Sequence, residues 1–318
     1  MNQSFTSVID IIIFLDLVLG IVFFIQTGAG VLGNVLLLCY CTITFRTGRR
    51  LKPIYSIFFH LALANFLVLI CKGVPQTMIG LGLNIFLDSV GCRFVIFLHR
   101  VARNLSVSIT CLLSGFQIIT ISPITFSILS KLKTRMSKYI FPFCLFCWIL
   151  HILASVFMFR NTQNFMKSSN KTRIWNMGFC SDSTLVSFNV SLFIILHSVP
   201  DFLCVGFMVM TSGYLVLLLQ RHHQQIQHIH SSSQFLRRSP VIKATYAILV
   251  LMSTYVSFYS ANSIFSFYSI QFDKYHQWLF PIAALLNACF PVISPFVLIG
   301  CDSQILHFFC SLWQKKRS

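Results

Sequence analysis

The segment Cys92–Pro123, CRFVIFLHRVARNLSVSITCLLSGFQIITISP, decides what kind of fold this chain adopts. It is longer than the ~20 mostly apolar residues that a membrane crossing needs at about 1.5 Å of helical rise each. Yet it carries a row of polar side chains: His99, Arg103, Ser106, Thr110, Ser114 and Gln117. Successive members are three or four residues apart, which puts all six on one face of a helix. Val101, Leu105, Val107, Ile109, Leu112, Leu113 and Phe116 fill the positions between them. A helix that is apolar except for one stripe turns the stripe toward protein or a wet cavity, because lipid cannot satisfy it. The segment reads as the central helix of a membrane bundle.

The rest of the chain agrees. Only 10% of its residues are charged and 56% are hydrophobic, where a soluble domain would have about a quarter charged. Glutamate is absent. A net charge of +17 spread over a soluble surface would point to a polyanion. Here the basic residues cluster between apolar runs, so the pattern is membrane topology and no nucleic-acid partner is expected. Most of the cysteines lie inside apolar runs, where they act as small hydrophobes. Cys144 and Cys147 have CxxC spacing but neither a second pair nor a histidine at ligand spacing, so they read as packing. No metal and no cofactor are expected.

Working outward from the central helix, the chain reads as one all-α membrane domain over residues 1–318 with seven spans. These run over about 18–44, 54–74, 94–121, 139–159, 188–219, 241–270 and 278–300. The first forty-five residues hold no Lys or Arg, so no signal-peptide n-region is expected. The second span is read as ending at Lys72 and Pro75, and the fifth as interrupted at Pro200-Asp201. A polar loop holds residues 160–183. The tail, 302–316, places Ile305, Leu306, Phe309, Leu312 and Trp313 on one face, which describes a short amphipathic helix lying on the membrane.

Orientation follows from the loops. Arg46, Arg49, Arg50, Lys52, Lys131, Lys133, Arg135, Lys138, Arg221, Arg237, Arg238 and the closing Lys315, Lys316 and Arg317 all fall after odd-numbered spans or in the tail. Asp10, Asp16, Asp88, Asp182 and Asp273 fall on the other side. The positive-inside rule therefore puts the N-terminus outside and the tail in the cytosol. Seven spans in that orientation point to a G protein-coupled type of receptor at the plasma membrane. A retinal protein would want a lysine midway along the last span, and 278–300 has none.

In this topology Cys92 and Cys180 are the two cysteines outside, in an oxidising compartment and without competitors, so they are expected to pair. Asn170-Lys171-Thr172 is the expected glycosylation site, with Asn2 a second candidate. Asn104 and Asn189 also open sequons but lie in or at a span. The histidines His222, His223, His228 and His230 read as a polar cytosolic face rather than a metal site.

A charge inside a span costs about 2.5–3.5 kcal/mol on insertion scales, so each needs a reason. Lys72 and Arg93 sit near span ends and are read as snorkelling to water. Arg103 lies eleven residues beyond Cys92, about 16 Å of helix rise, too deep for that. Asp201 is the one acid within a span. An interhelical ion pair and a ligand-lining role both remain open for these two. The expected ligand cavity takes His99, Arg103 and Ser106 from the stripe, with Lys72 and Asp201 as neighbours. Tyr259 and Phe265 lie at the same height.

Five stretches carry a family resemblance: LALANFLVLICKGVPQTM (61–78), GCRFVIFLHRV (91–101), CLLSGFQIITISP (111–123), RHHQQIQHIH (221–230) and CFPVISPFVLI (289–299). Together they resemble the vomeronasal type-1 receptors, from the first span to the end of the seventh. The resemblance implies a chemosensory receptor for pheromone-like small molecules, acting through an inhibitory-type heterotrimeric G protein. Against the wider rhodopsin-like pattern, Gly33-Asn34, Trp148 and the Cys92 and Cys180 pair fit. Asn65 stands where that pattern has an aspartate, which puts a sodium site in doubt. The acidic-Arg-Tyr motif is missing from the end of the third span, and Leu298 replaces the usual tyrosine of the seventh. Gln117, Arg221, Arg237 and Arg238 are the expected G protein contacts, on a basic cytosolic face suited to a transient, electrostatically steered partner.

The alternative class is a channel or transporter, which would want internal repeats or a continuous polar path; no repeat is evident. An enzyme is not expected, since there is no HExxH, no paired carboxylate and no Ser–His arrangement.

Overall fold

The computed structural model describes residues 2–47, 53–83, 89–121, 127–166, 173–176, 181–184, 188–229, 240–271, 279–302, 304–308 and 310. Among these, seven helical segments are long and apolar enough to cross a membrane. They are α1 (Asn2–Arg46), the pair α2 (Ile54–Val68) and α3 (Val74–Gly80), then α4 (Ser89–Ile121), α5 (Ser127–Met166), α6 (Phe188–Ile229), α7 (Pro240–Gln271) and α8 (Leu279–Cys301). Helices are the natural solution here, because each satisfies its own backbone hydrogen bonds without water.

The second and third spans are the inner ones. Of their most apolar stretches, 61% and 50% are buried, against 22% for the fourth span and 17% for the fifth. Leu61, Ala64, Leu105, Ile109 and Leu113 are wholly buried in the common core, with Leu251 and Met252 of α7 and Leu298 of α8. Phe157, Leu203, Met210 and Ile264 instead stand exposed around the outside, the ring of apolar side chains a lipid-facing surface needs.

Two prolines expected to end or break helices, Pro75 and Pro200, do not. The second span runs through Pro75 because a π-helical turn, Leu69–Gly73, precedes it, closed by the Val74 N–H on the Leu69 carbonyl. Pro75 has no N–H for the Cys71 carbonyl and its ring would clash there; the wider turn relieves both problems. The span thus reaches Gly80, not Val74. Pro200 lies inside the continuous α6. In α8, Pro295 deprives the Pro291 carbonyl of its helical donor, and Asn34 of α1 supplies one: its Nδ2 donates to that carbonyl at 2.9 Å. The same amide donates to the Gly30 carbonyl at 2.7 Å, which ties α1 to α8 at the buried proline.

Glycines set the closest approaches of α1. A methyl group on Gly20 would overlap the Gly80 backbone, and one on Gly73 would overlap Thr27. Within the loop expected between the fourth and fifth spans, β1 (Arg173–Asn176) and β2 (Ser181–Thr184) pair antiparallel, with Arg173 opposite Thr184 and Asn176 opposite Ser181. Past α8, residues 304–308 and 310 are helical. Asp302 begins this tail helix as its N-cap: its Oδ1 accepts the Gln304 N–H at 2.9 Å, and its carbonyl accepts the Leu306 N–H at 3.0 Å. Its other carboxylate oxygen accepts the Tyr55 hydroxyl at 2.9 Å, fastening the tail to α2. Ile305 is buried, while Leu306, expected on the same apolar face, is exposed.

Candidate functional site

The polar stripe of α4 does face inward. Ser106, Thr110, Ser114 and Gln117 are all buried, and His99 and Arg103 are partly so. Its two halves behave differently. Thr110 donates to the Ser106 carbonyl at 2.7 Å and Ser114 to the Cys111 carbonyl at 2.7 Å, so the lower hydroxyls are satisfied by their own helix. The upper residues, His99, Arg103 and Ser106, line a cavity with Val68 of α2, Tyr255 and Tyr259 of α7, and Asn287 and Phe290 of α8. About 440 Å³ of empty space lies there, counted with its open mouth.

Aromatic rings form one wall. Tyr255 stacks on Tyr259 with ring centres 5.9 Å apart, and Phe290 meets Tyr255 edge-on at 4.7 Å. Such rings give a ligand apolar area to lie against.

Arg103 meets Asp201 of α6, its Nη2 lying 3.7 Å from Oδ2. The same carboxylate oxygen accepts the Tyr259 hydroxyl at 3.3 Å, and the guanidinium carbon stands 5.6 Å from the centre of the Tyr259 ring. Arg103, Asp201 and Tyr259 therefore join the third, fifth and sixth spans. Two opposite charges in a dry interior offset part of each other's desolvation cost, and removing either one strands its partner. The pair is loose: 3.7 Å is longer than a charge-assisted hydrogen bond, and 29% of the Arg103 side chain remains accessible.

Below the cavity, Ser106 donates to Asn65 Oδ1 at 2.6 Å, and Asn65 Nδ2 donates to Ser294 Oγ at 2.8 Å. All three residues are buried. A sodium ion at this position would need negative or free oxygen donors. The Asn65 amide is neutral, its oxygen is already an acceptor and its nitrogen points at the third oxygen, so the residues present do not fit a cation.

The remaining expected residues fall as follows. Lys72 belongs to the π turn and lines a second chamber with Phe23, Leu69, Gln76, Ala284 and Asn287. Cys92 is buried and disulfide-bonded at the start of α4, while Cys180 lies outside the described residues. Asn170, Arg237 and Arg238 also lie outside them, and of Asn2 only the helical backbone is described. Arg221 is exposed near the end of α6. Gln117 is buried among the helices rather than displayed.

Sequence reasoning passed over Ser294, Asn287, Tyr255 and the second chamber. It also passed over the fourth-span contacts, where the Trp148 indole donates to His60 Nδ1 at 3.2 Å and Ser108 pairs with His151 at 2.8 Å. Isolated polar residues in apolar runs, such as Ser294 in CFPVISPFVLI, were the available signal.

Known proteins place this architecture in a family. The profile of the vomeronasal organ pheromone receptor family matches residues 17–311. Human vomeronasal type-1 receptor 1 is 40% identical over 289 residues, 91% of this chain and 81% of the relative. Human vomeronasal type-1 receptor 4 is 39% identical over 290 residues, 91% of this chain and 96% of the relative. A zebrafish (Danio rerio) protein, olfactory receptor class A-like protein 1, is 31% identical over 307 residues, 94% of each chain. With seven spans, an inward polar stripe and a match across nearly its whole length, the chain belongs to the vomeronasal type-1 receptor family, a family of G protein-coupled receptors and not of enzymes.

Proposed function

We propose that this receptor sits in the plasma membrane with its N-terminus outside, takes a pheromone-like small molecule into the cavity at His99, Arg103 and Ser106, and activates an inhibitory-type heterotrimeric G protein. The observation that carries this reading is the position of Ser106. Ser106 lines the cavity, and its hydroxyl holds Asn65, which holds Ser294. A ligand that draws the Ser106 hydroxyl toward itself releases a contact between the second, third and seventh spans, and ligands shift such equilibria by binding one arrangement better. Arg221 and the basic segment after it are the proposed G protein face, with Arg237 and Arg238 steering the encounter.

A library of volatile and steroid-like compounds, applied to cells carrying a G protein reporter, tests this. Ligand-dependent nucleotide exchange supports a receptor. Solute flux without exchange supports the channel or transporter class instead. The role of Arg103 is separated by pairing Arg103→Asp with Asp201→Arg. Restored expression with lost potency means the guanidinium touches the ligand; restored potency means the pair is structural.

A further inference from the structure

We infer that Lys72, on the π turn of the second span, is the anchor for an anionic group, and that this receptor selects a small apolar molecule carrying one carboxylate, sulfate or phosphate. The inference deepens the proposed ligand cavity and rests on it.

Arg103 already has a counter-charge in Asp201, and its guanidinium carbon stands 5.6 Å from the centre of the Tyr259 ring. Lys72 is not matched. Among the described residues no acceptor lies within hydrogen-bonding or ion-pairing distance of it, although it is inside the bundle, eight residues before the last residue of α3. The snorkelling expected of it is not what this geometry serves, since its side chain lines a chamber between the first, second and seventh spans. The chamber is otherwise apolar, with Phe23, Val68, Leu69, Ala284 and Ala288 around it and the amides of Gln76 and Asn287 at hand.

The chamber adjoins the first cavity: Val68 and Asn287 line both. Across that junction His99 Nε2 is buried and has no partner. His99 and Arg103 line the first cavity and Lys72 lines the second, so basic side chains face this junction from both sides, and the carboxylate recorded beside them among the described residues, Asp201, is paired with Arg103. An ammonium held in an apolar chamber without a counter-charge is unfavourable, and an anion entering there removes that cost while gaining charge-assisted hydrogen bonds. The π turn matters because it alters the helical register at Lys72 ahead of Pro75, and Gly73 lets Thr27 close the wall behind it.

The test uses the full chain in neutral-lipid nanodiscs with four ten-carbon probes below their micelle concentrations: decanoate, decyl sulfate, decanol and decylammonium. Binding is read as a dose-dependent rise in Tm. Decanoate and decyl sulfate are expected to bind at least tenfold more tightly than decanol, and decylammonium not at all. Lys72→Gln should lose that tenfold preference while keeping decanol binding, Lys72→Arg should retain it, and decanol binding reports that each variant is folded. Adding phosphatidylglycerol to the nanodiscs separates sources: a lost decanoate response means a bilayer lipid's anion fills the chamber, and an unchanged one means a free ligand does; either keeps Lys72 as the anchor. Equal binding of decanoate and decanol, or a preference that survives Lys72→Gln and vanishes in Arg103→Gln, overturns the assignment. No G protein enters this measurement, so its failure leaves the signalling reading standing, and a failure of nucleotide exchange leaves this one standing.

Discussion

Ser106 gives its hydroxyl hydrogen to Asn65 at 2.6 Å, so the floor of the proposed ligand cavity and the buried junction of three spans share one residue. Asn65→Ala leaves the Ser106 and Ser294 hydroxyls without their buried partner. Each such loss costs about 1–3 kcal/mol, so the variant should unfold at a clearly lower temperature than the native receptor. Thermal unfolding in nanodiscs checks it; an unchanged Tm would mean that the hydroxyls find other acceptors and the junction is not a structural tie.

The sequence exposed the central helix because its stripe repeats at helical spacing, and burial of Ser106, Thr110, Ser114 and Gln117 follows from that alone. The partner of Arg103 was legible too, since Asp201 is the one acid within the spans as read from the sequence. What stayed hidden depends on register between helices. Nothing in LALAN says that Asn65 meets Ser294, and nothing in Lys72-Gly73-Val74-Pro75 says that the helix continues through a π turn instead of stopping. Proline rules describe the cost of a missing donor, while the neighbouring turn or Asn34 decides whether that cost is met.

The tail is held through Asp302, which caps its helix and accepts from Tyr55. Asp302→Ala removes both contacts, an N-cap loss of about 1 kcal/mol among them. Ligand affinity should be unchanged and G protein coupling weakened, because the tail helix flanks the proposed cytosolic face. Radioligand competition against nucleotide exchange separates the two; equal affinity with equal coupling would show the tail to be a bystander.

Backbones touch where Gly20 meets Gly80, and neither side can yield as a flexible side chain would. Gly80→Ala should therefore cost about 1–3 kcal/mol of stability or halve surface expression, as overpacking does. Gly213→Ala is the control, since a methyl group there meets open space. If both variants express alike, the close approach of the first and second spans is not needed.

Topology has its own chemical test. The proposed Cys92–Cys180 bridge and glycosylation at Asn170 both require the loop before α6 to be outside. Mass spectrometry should find the two cysteines linked, and Asn170→Gln should abolish the endoglycosidase shift. Free thiols at both positions, or a shift that survives the substitution, would reverse the assignment.

The account stands most directly on nucleotide exchange by purified components. The full chain in nanodiscs is mixed with inhibitory-type or stimulatory-type heterotrimer, and GTP uptake is followed with and without an agonist taken from the reporter screen. The agonist is expected to accelerate exchange severalfold on the inhibitory-type protein alone, and the Arg237→Gln, Arg238→Gln double variant to slow it without changing agonist affinity. Exchange that does not respond to an agonist which demonstrably binds would contradict it.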